Sequence, residues 1–196
     1  MRASAVTALI LAGGKGSRMG HQDKGWVSYK NKPLIQHAID IVAPQVQDIV
    51  ISYNQNEARY TALPYKGTTD RTPGYLGPLM GILSCRDLIA TDLTFVMPCD
   101  TPGLPLDIIA QLMAPLESHA LAVVHDGTRL QPLIFLTRTQ LIDSIEFYLS
   151  TGDRSVTGWV HSVDNVVVDL SSQQSAFWNL NKITQLQDQV LLADPE

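Results

Sequence analysis

The 196-residue sequence has little charge, few aromatic side chains and only two cysteines. Charged residues make up 17% and aromatic residues 7% of the chain. Cys85 and Cys99 are too few for a disulfide framework, so we expect free thiols in a reducing compartment, the cytoplasm. The sequence also lacks an apolar run of the about 20 residues that a membrane helix needs, so we expect no membrane association.

A basic excess is absent as well. The 14 Lys and Arg residues against 19 Asp and Glu residues give a formal net charge of -5. This balance argues against a general nucleic-acid binder, although it does not exclude a local anion site. The hydrophobic share of 45% excludes a disordered chain, and the length suits one domain.

The start of the chain has two interpretations. Arg2 followed by the apolar residues 3–12 resembles a short signal peptide, which would make this a secreted binding protein. The residues directly after it, 13–24, are rich in glycines and cations that could bind a ligand. Cleavage before them would separate them from the strand that positions them. We therefore favour a cytoplasmic protein in which residues 5–11 form a buried first strand.

Apolar, β-branched runs alternate with helical patterns, which is typical of βα units and a mainly parallel sheet. Strands are predicted at residues 5–11, 48–53, 66–69, 93–97, 120–124, 132–137 and 165–170. Helices are predicted from Pro33 to about Val42, from Pro78 to about Leu88, from Pro105 to about Ala114, at 141–149 and at 183–192. Asp126-Gly127 is a tight-turn signal, so the two strands it joins predict an antiparallel part in the second half. We expect a single α/β domain with helices on both faces of the sheet.

A glycine-rich loop follows the first strand. Four glycines occur within eight residues and are interleaved with cations, at Gly13, Gly14, Gly16 and Gly20 and at Lys15, Arg18 and Lys24. Glycine lets successive backbone N–H groups approach an anion, and nearby cations neutralise a polyphosphate. A surface loop with solvated basic residues is the alternative, but the position at a strand end favours phosphate binding.

Neither of two familiar phosphate-binding motifs fits this loop. The dinucleotide pattern GxGxxG, started at Gly14, requires glycine at position 19, which is Met19. The P-loop requires Gly-Lys-Ser/Thr at an offset where the sequence has none. The loop is therefore of a third kind.

Asp100 follows the predicted strand 93–97 after Pro98 and Cys99. Ligands collect at the carboxyl ends of strands in open α/β sheets, and Mg²⁺ takes one or two carboxylates together with phosphate oxygens and water. We therefore predict that Asp100 binds Mg²⁺, whereas a helix cap is the competing interpretation. Asp70, after the strand at 66–69, is a weaker second ligand, and an ordinary turn residue explains it nearly as well.

A third glycine-rich segment, residues 74–81, surrounds the helix start at Pro78. Its three glycines would let the backbone approach a flat ligand such as a base or a ribose. Close packing of a helix against the sheet explains them equally well.

Together these segments resemble the nucleotidyltransferases that join an NTP to a phosphorylated acceptor and release pyrophosphate, and among them the molybdenum cofactor guanylyltransferases. The resemblance covers nearly the whole chain and is carried by residues 11–14, 18–20, 23–25, 32–34, 77–79, 98–102 and 179–181. Two departures are Ser52, where asparagine is expected near the base, and residues 182–186, which lack the proline and acidic residues of the family pattern. The resemblance implies a Rossmann-like nucleotidyltransferase domain over 1–196, with a nucleotide-binding half (1–110) and an acceptor-binding half (111–196).

The resemblance also implies roles for individual residues. The catalytic residues would be Arg18, Lys24 and Asp100, and Mg²⁺ would be held by Asp100 and Asn181. The nucleotide would be bound by Leu11, Ala12, Gly13, Gly14, Lys24, Ser52, Asn54, Asp70, Gly77, Pro78, Leu79 and Asp100. The acceptor would be bound by Arg129, Gln131, Arg154 and Asn179, although solvated turn positions explain Arg129 and Arg154 equally well.

The implied reaction transfers GMP from GTP to the phosphate of molybdopterin, with or without molybdenum, and releases pyrophosphate. Partners would be GTP, molybdopterin and molybdoenzyme maturation proteins, without nucleic acid or membrane, for a monomer or weak oligomer. A related enzyme that uses CTP or a sugar-phosphate acceptor would have the same phosphate chemistry. A nucleotide-binding regulator without turnover is the alternative from another class, but binding alone does not require Arg18, Lys24 and Asp100 together.

Overall fold

The computed structural model describes residues 5–13, 23–72 and 77–180. Its strands are β1 (Val6–Leu11), β2 (Ser28–Tyr29), β3 (Lys32–Pro33), β4 (Asp48–Ser52), β5 (Lys66–Thr68), β6 (Leu93–Pro98), β7 (Leu121–His125), β8 (Leu130–Arg138) and β9 (Asn165–Asp169). Seven strands form one sheet in the order β5-β4-β1-β6-β8-β7-β9, and β2 pairs with β3 in a separate hairpin. The predicted strands are therefore present, with ends that shift by one or two residues.

The sheet is parallel in its first half and mixed in its second half. β1 pairs in parallel with β4 and β6, and β4 pairs in parallel with β5. β8 is antiparallel to both β6 and β7, while the edge strand β9 is parallel to β7. The predicted hairpin around Asp126-Gly127 is confirmed, and Gly127 adopts the left-handed φ of +90° that glycine tolerates best.

Helices cover both faces of the sheet, as predicted. They are α1 (Leu34–Val42), α2 (Glu57–Thr61), α3 (Pro78–Ser84), α4 (Ile108–Leu116), α5 (Ser144–Ser150) and α6 (Val156–Ser162). The side chains of β1 alternate between two apolar clusters: Ala8 and Ile10 pack on the side of α1 and α4, and Leu9 and Leu11 on the side of α3, α5 and α6. Every residue of β1 is buried, because a central strand is covered on both faces.

Three helix predictions need correction. The helix expected from Pro105 begins at Ile108, whose N–H closes a turn onto the Pro105 carbonyl at 3.2 Å. The helix expected at 78–88 ends at Ser84 and continues as a 3₁₀ turn over Arg86–Leu88. The segment 141–149 is divided between a 3₁₀ turn (Thr139–Asp143) and α5.

Two helices were not predicted from the sequence, and one predicted helix cannot be compared with the structure. The short helices α2 and α6, of five and seven residues, were not predicted, because such lengths hold too few turns to show a helical period. The helix predicted at 183–192 lies outside the described residues. Within the described part of the chain, no helix has the length and apolar character needed to cross a membrane.

Candidate active site

The carboxyl ends of four adjacent parallel strands build one pocket. In sheet order they supply Asp70 after β5, Ser52 and Asn54 at the end of β4, residues 11–13 at the end of β1, and residues 98–100 at the end of β6. The chain moves from β1 to β4 in one direction and to β6 in the other, so the crevice between β1 and β6 is the topological switch point where ligands bind in such sheets. The pocket volume of about 430 Å³ lies within the range that small-molecule sites occupy.

Lys24 and Asp100 form an ion pair in this pocket, from the lysine Nζ to the aspartate Oδ2. Lys24 begins a 3₁₀ turn (Lys24–Trp26), and Asp100 follows the last residues of β6. The Asp100 side chain is 5% exposed and the Lys24 side chain 30% exposed. The ammonium therefore compensates a buried carboxylate while remaining accessible from the pocket.

Asn179 lies in the same pocket, although it is 79 positions after Asp100 in the chain. The N–H of Leu180 donates to the backbone carbonyl of Asp100 at 3.0 Å, and this bond places Asn179 beside the end of β6. The Asn179 Oδ1 atom is buried and has no hydrogen-bond partner among the described residues. The structure thus brings together a predicted acceptor-binding residue and the predicted metal ligand.

The oxygens of Asp100 and Asn179 fit a hard cation such as Mg²⁺. A carboxylate and an amide carbonyl are suitable ligands, and Mg²⁺ usually completes its coordination with substrate phosphates and water. Within residues 5–13, 23–72 and 77–180, no group of three or more His, Cys, Asp or Glu side chains is placed to hold a metal ion alone. A cation here would therefore take further oxygens from other sources, such as a bound phosphate or water.

At the far side of the pocket, Asn54 and Asp70 bind each other reciprocally. The Asn54 Nδ2 atom donates to Asp70 Oδ2 at 2.9 Å, and the backbone N–H of Asp70 donates to Asn54 Oδ1 at 3.0 Å. Burial raises the pKa of Asp70, and the hydrogen bond from Asn54 opposes this effect only in part. The pair leaves the second carboxylate oxygen, Oδ1, near the small residue Gly81.

Small residues keep the pocket open at two points. A Cβ atom on Gly13 would lie 3.0 Å from Asn54 Nδ2, and one on Gly81 would lie 2.7 Å from the Ser52 hydroxyl oxygen. Either change would crowd the side chains that face the pocket. Gly13 and Gly81 therefore allow close packing against these side chains, and contact of a ligand with the glycine backbone stays a prediction.

The other acceptor-binding candidates do not line this pocket. Arg129 and Gln131 lie on the β7–β8 hairpin, and the exposed Arg154 precedes α6. Gln131 donates to the buried Asp126 at 2.6 Å. Burial alone raises the pKa of Asp126, but hydrogen bonds from the Arg129 backbone, Gln131 and the Thr128 backbone outweigh it and hold that pKa below its usual range. Gln131 and the Arg129 backbone thus have a structural role in the hairpin.

The remaining predicted residues divide into three groups. Leu11, Ala12, Gly13, Gly77 and Pro78 line the pocket. Leu79 lies in α3, and its side chain is fully buried in the core. Only its backbone could therefore contact a ligand. Gly14, Arg18 and Asn181 lie outside the described residues.

Sequence reasoning missed four pocket residues: Gly81, Pro98, Cys99 and Leu133. The first three stand inside segments that the sequence singled out, and their closeness to Pro78 and Asp100 was the available signal. Leu133 carries no chemical signal, because it reaches the pocket only through the antiparallel pairing of β8 with β6.

The glycine that follows β1, the lysine–aspartate pair and the mixed α/β sheet agree with a nucleotidyltransferase, and the comparisons with known proteins show that class. The sequence matches the family described as the MobA-like NTP transferase domain over residues 8–166. It is 41% identical to the molybdenum cofactor guanylyltransferase of Shewanella woodyi over 184 residues, which cover 93% of this chain and 94% of that protein. The corresponding protein of Shewanella pealeana is also 41% identical, over 187 residues and 94% of each chain.

A solved structure has the same fold. The crystal structure of molybdopterin-guanine dinucleotide biosynthesis protein A from Archaeoglobus fulgidus superposes with a TM-score of 0.78, over 96% of this chain and 100% of that chain, at 17% identity. The family match and the 41% identity to these relatives show that the chain belongs to the MobA-like NTP transferase family.

Proposed function

We propose that this protein transfers GMP from GTP to the terminal phosphate of molybdopterin, with release of pyrophosphate. The observation that carries the proposal is the Lys24–Asp100 pair at one side of a pocket whose other side holds the Asn54–Asp70 pair. Three strand spacings of about 4.8 Å separate β5 from β6, or about 14 Å in all. This length accommodates a nucleotide with its base near Asp70 and its phosphates near Lys24.

In the proposed reaction, an oxygen of the acceptor phosphate forms a bond to the α-phosphorus of GTP, and the bond from that phosphorus to the bridging oxygen of pyrophosphate breaks. A phosphate monoester is mostly doubly ionised at neutral pH, because its second pKa is around 6. The nucleophile therefore needs no general base, and catalysis depends on positioning and charge stabilisation.

The residues of this chain divide these tasks. The Lys24 ammonium would bind the triphosphate and stabilise charge that builds up on the transferred phosphoryl group, with Arg18 as a further predicted cation. The backbone of residues 11–13 would face the phosphates. Asp100 and Asn179, with Asn181 as a predicted further ligand, would hold Mg²⁺, which when bound supplies positive charge to the phosphate oxygens.

Asp70 supports guanine as the base. The Watson–Crick edge of guanine presents N–H donors, including its 2-amino group, and a carboxylate accepts such hydrogen bonds. The bond from Asn54 fixes the orientation of this carboxylate before the base arrives.

An Asp70→Asn variant should therefore raise the KM for GTP about 10- to 100-fold, since a hydrogen bond to a charged group contributes about 1.5–3 kcal/mol. Its kcat at saturating GTP should change little. Initial rates of pyrophosphate release over a range of GTP concentrations would measure both quantities. Asp48→Asn, at the opposite end of β4, is the matched control. An unchanged KM in the Asp70 variant would contradict the contact with the base.

Thermal unfolding with Mg²⁺ and each of GTP, ATP, CTP and UTP tests the choice of nucleotide. A ligand at 100 times its Kd stabilises the folded state by about 2.7 kcal/mol. For a chain of this size the shift in Tm should be about 5–10 °C. We expect this shift with GTP, followed by pyrophosphate release only when molybdopterin is added. A shift with CTP alone would support the cytidylyl alternative, and binding without turnover would support the regulator.

A further inference from the structure

A cluster of hydrogen bonds lies behind Lys24 and has no part in the reaction described above. It consists of Asp23, Tyr60 and Asn56 and is called the Asp23 cluster. The carboxylate of Asp23 is buried, and its Oδ1 atom accepts the Tyr60 hydroxyl at 2.7 Å. The Oδ2 atom of Asp23 accepts the side-chain amide of Asn56 at 3.1 Å. Both donors come from α2 or the residue that precedes it.

Tyr60 is firmly held in this cluster. It is 2% exposed, its ring stacks on Tyr53 with centroids 4.7 Å apart and planes inclined by 4°, and it also contacts Trp26. Burial, and next the hydrogen bond to Asp23, raise the pKa of Tyr60 far above its usual value. The raised pKa favours the protonated phenol, the form that donates to Asp23.

Asp23 in turn holds the turn that contains Lys24. Its Oδ1 atom accepts the Gly25 N–H at 3.2 Å, and its backbone carbonyl accepts the Trp26 N–H at 3.0 Å. A Cβ atom on Gly25 would lie only 2.3 Å from the Tyr60 hydroxyl oxygen, so the phenol is fitted directly against this turn. The Tyr60 hydroxyl therefore helps to fix the position of the turn Lys24–Trp26, through its bond to Asp23 and its close contact with Gly25.

We propose that Tyr60 is a positioning residue for Lys24: its hydroxyl and the Asn56 amide together hold Asp23, and Asp23 holds the turn from which the Lys24 ammonium reaches Asp100 in the pocket. The inference rests on the proposed function, because it gives Lys24 a task in the transfer reaction. Tyr60 itself does not line the pocket. It acts through Lys24 alone.

The first test is Tyr60→Phe, which keeps the ring stack and removes the hydroxyl. A displacement of about 1 Å can cost up to about 100-fold in rate, and we expect a loss of about 10-fold in kcat with a change of less than about 3-fold in the KM for GTP. Tyr53→Phe is the matched control, because it removes a phenol from the same stack but not the one bonded to Asp23. We expect its kcat to equal that of the wild type.

The decisive test is a double-mutant cycle of Tyr60→Phe with Lys24→Ala. If Tyr60 acts through Lys24, adding Tyr60→Phe to Lys24→Ala should lower kcat by less than about 2-fold. Equal losses in both backgrounds would overturn the inference and leave the proposed function intact. Full kcat in Lys24→Ala would overturn the role of Lys24 and this inference with it, while acceptor-dependent pyrophosphate release would still support the transfer reaction.

Asn56→Gly provides a second route if Tyr60→Phe does not fold. Asn56 has a left-handed φ of +50°, which glycine adopts readily, so this change removes the bond to Asp23 with little backbone strain. We expect a loss of about 3-fold in kcat that disappears in the Lys24→Ala background. An unchanged kcat in the otherwise wild-type protein would overturn the inference.

Discussion

An Asp100→Asn variant is expected to lose about 10²- to 10³-fold in kcat, the loss that removal of one charge-stabilising group in an active site typically causes. The substitution keeps the size of the side chain and removes its charge. It therefore weakens the hold on a divalent cation and ends the ion pair with Lys24. Initial rates of pyrophosphate release at saturating GTP and acceptor would measure the loss, and the Mg²⁺ concentration for half-maximal rate should rise.

The stability of Asp100→Asn should change much less than its activity. Removing one partner of a fully buried ion pair costs about 3–5 kcal/mol, but the Lys24 side chain is 30% exposed and can turn towards water. We therefore expect a Tm within a few degrees of the wild type. Asp92→Asn is the matched control, because Asp92 directly precedes the opposite end of β6 and is exposed. A folded Asp100 variant with near-normal turnover would contradict both the metal and the catalytic assignment.

Lys24→Ala is expected to have an effect of similar size, about 10²- to 10³-fold in kcat. The ammonium is the cation that the described structure places in the pocket beside Asp100, and its loss leaves developing negative charge on the phosphates less compensated. Because Lys24 would also contact the bound triphosphate, the KM for GTP should rise as well. Steady-state kinetics with GTP varied at fixed acceptor would separate the two effects.

Two comparisons make the Lys24 experiment specific. Lys32→Ala removes a lysine of β3 that pairs with Asp40 of α1 at 2.5 Å. This pair lies outside the pocket, so the change should leave kcat unchanged. The double variant Lys24→Ala, Asp100→Asn should be little worse than the more affected single variant, since groups that act together are not additive. If the fold-loss in kcat of the double variant equals the product of the two single losses, the two side chains do not act on the same phosphates.

Much of the fold could be predicted because its causes are local. The continuous apolar run of β1, the turn at Asp126-Gly127 and the helix start at Pro78 each depend on neighbouring residues. The short α2 and α6 could not be found this way. The start of α4 was predicted three residues early because Pro105 also fits the turn that precedes the helix.

The candidate site was predicted in part for a related reason. Asp70 and Asp100 follow strands, so strand ends identified them, whereas Asn54 was selected by the resemblance. The structure places all three in one pocket. Arg129 and Arg154 were selected by resemblance, and the structure puts them outside that pocket at exposed turns. Their contact with the acceptor stays a prediction.

The sequence alone determined which segments are buried strands and which residues stand at their carboxyl ends, because side-chain hydrophobicity and turn chemistry act between close neighbours. Which distant side chains meet depends on how the strands and helices pack together. Asn179 comes beside Asp100 through one backbone hydrogen bond, and Tyr60 reaches Asp23 across 37 positions of the chain. Such contacts follow from the packing of whole elements against one sheet, and no local pattern records that packing.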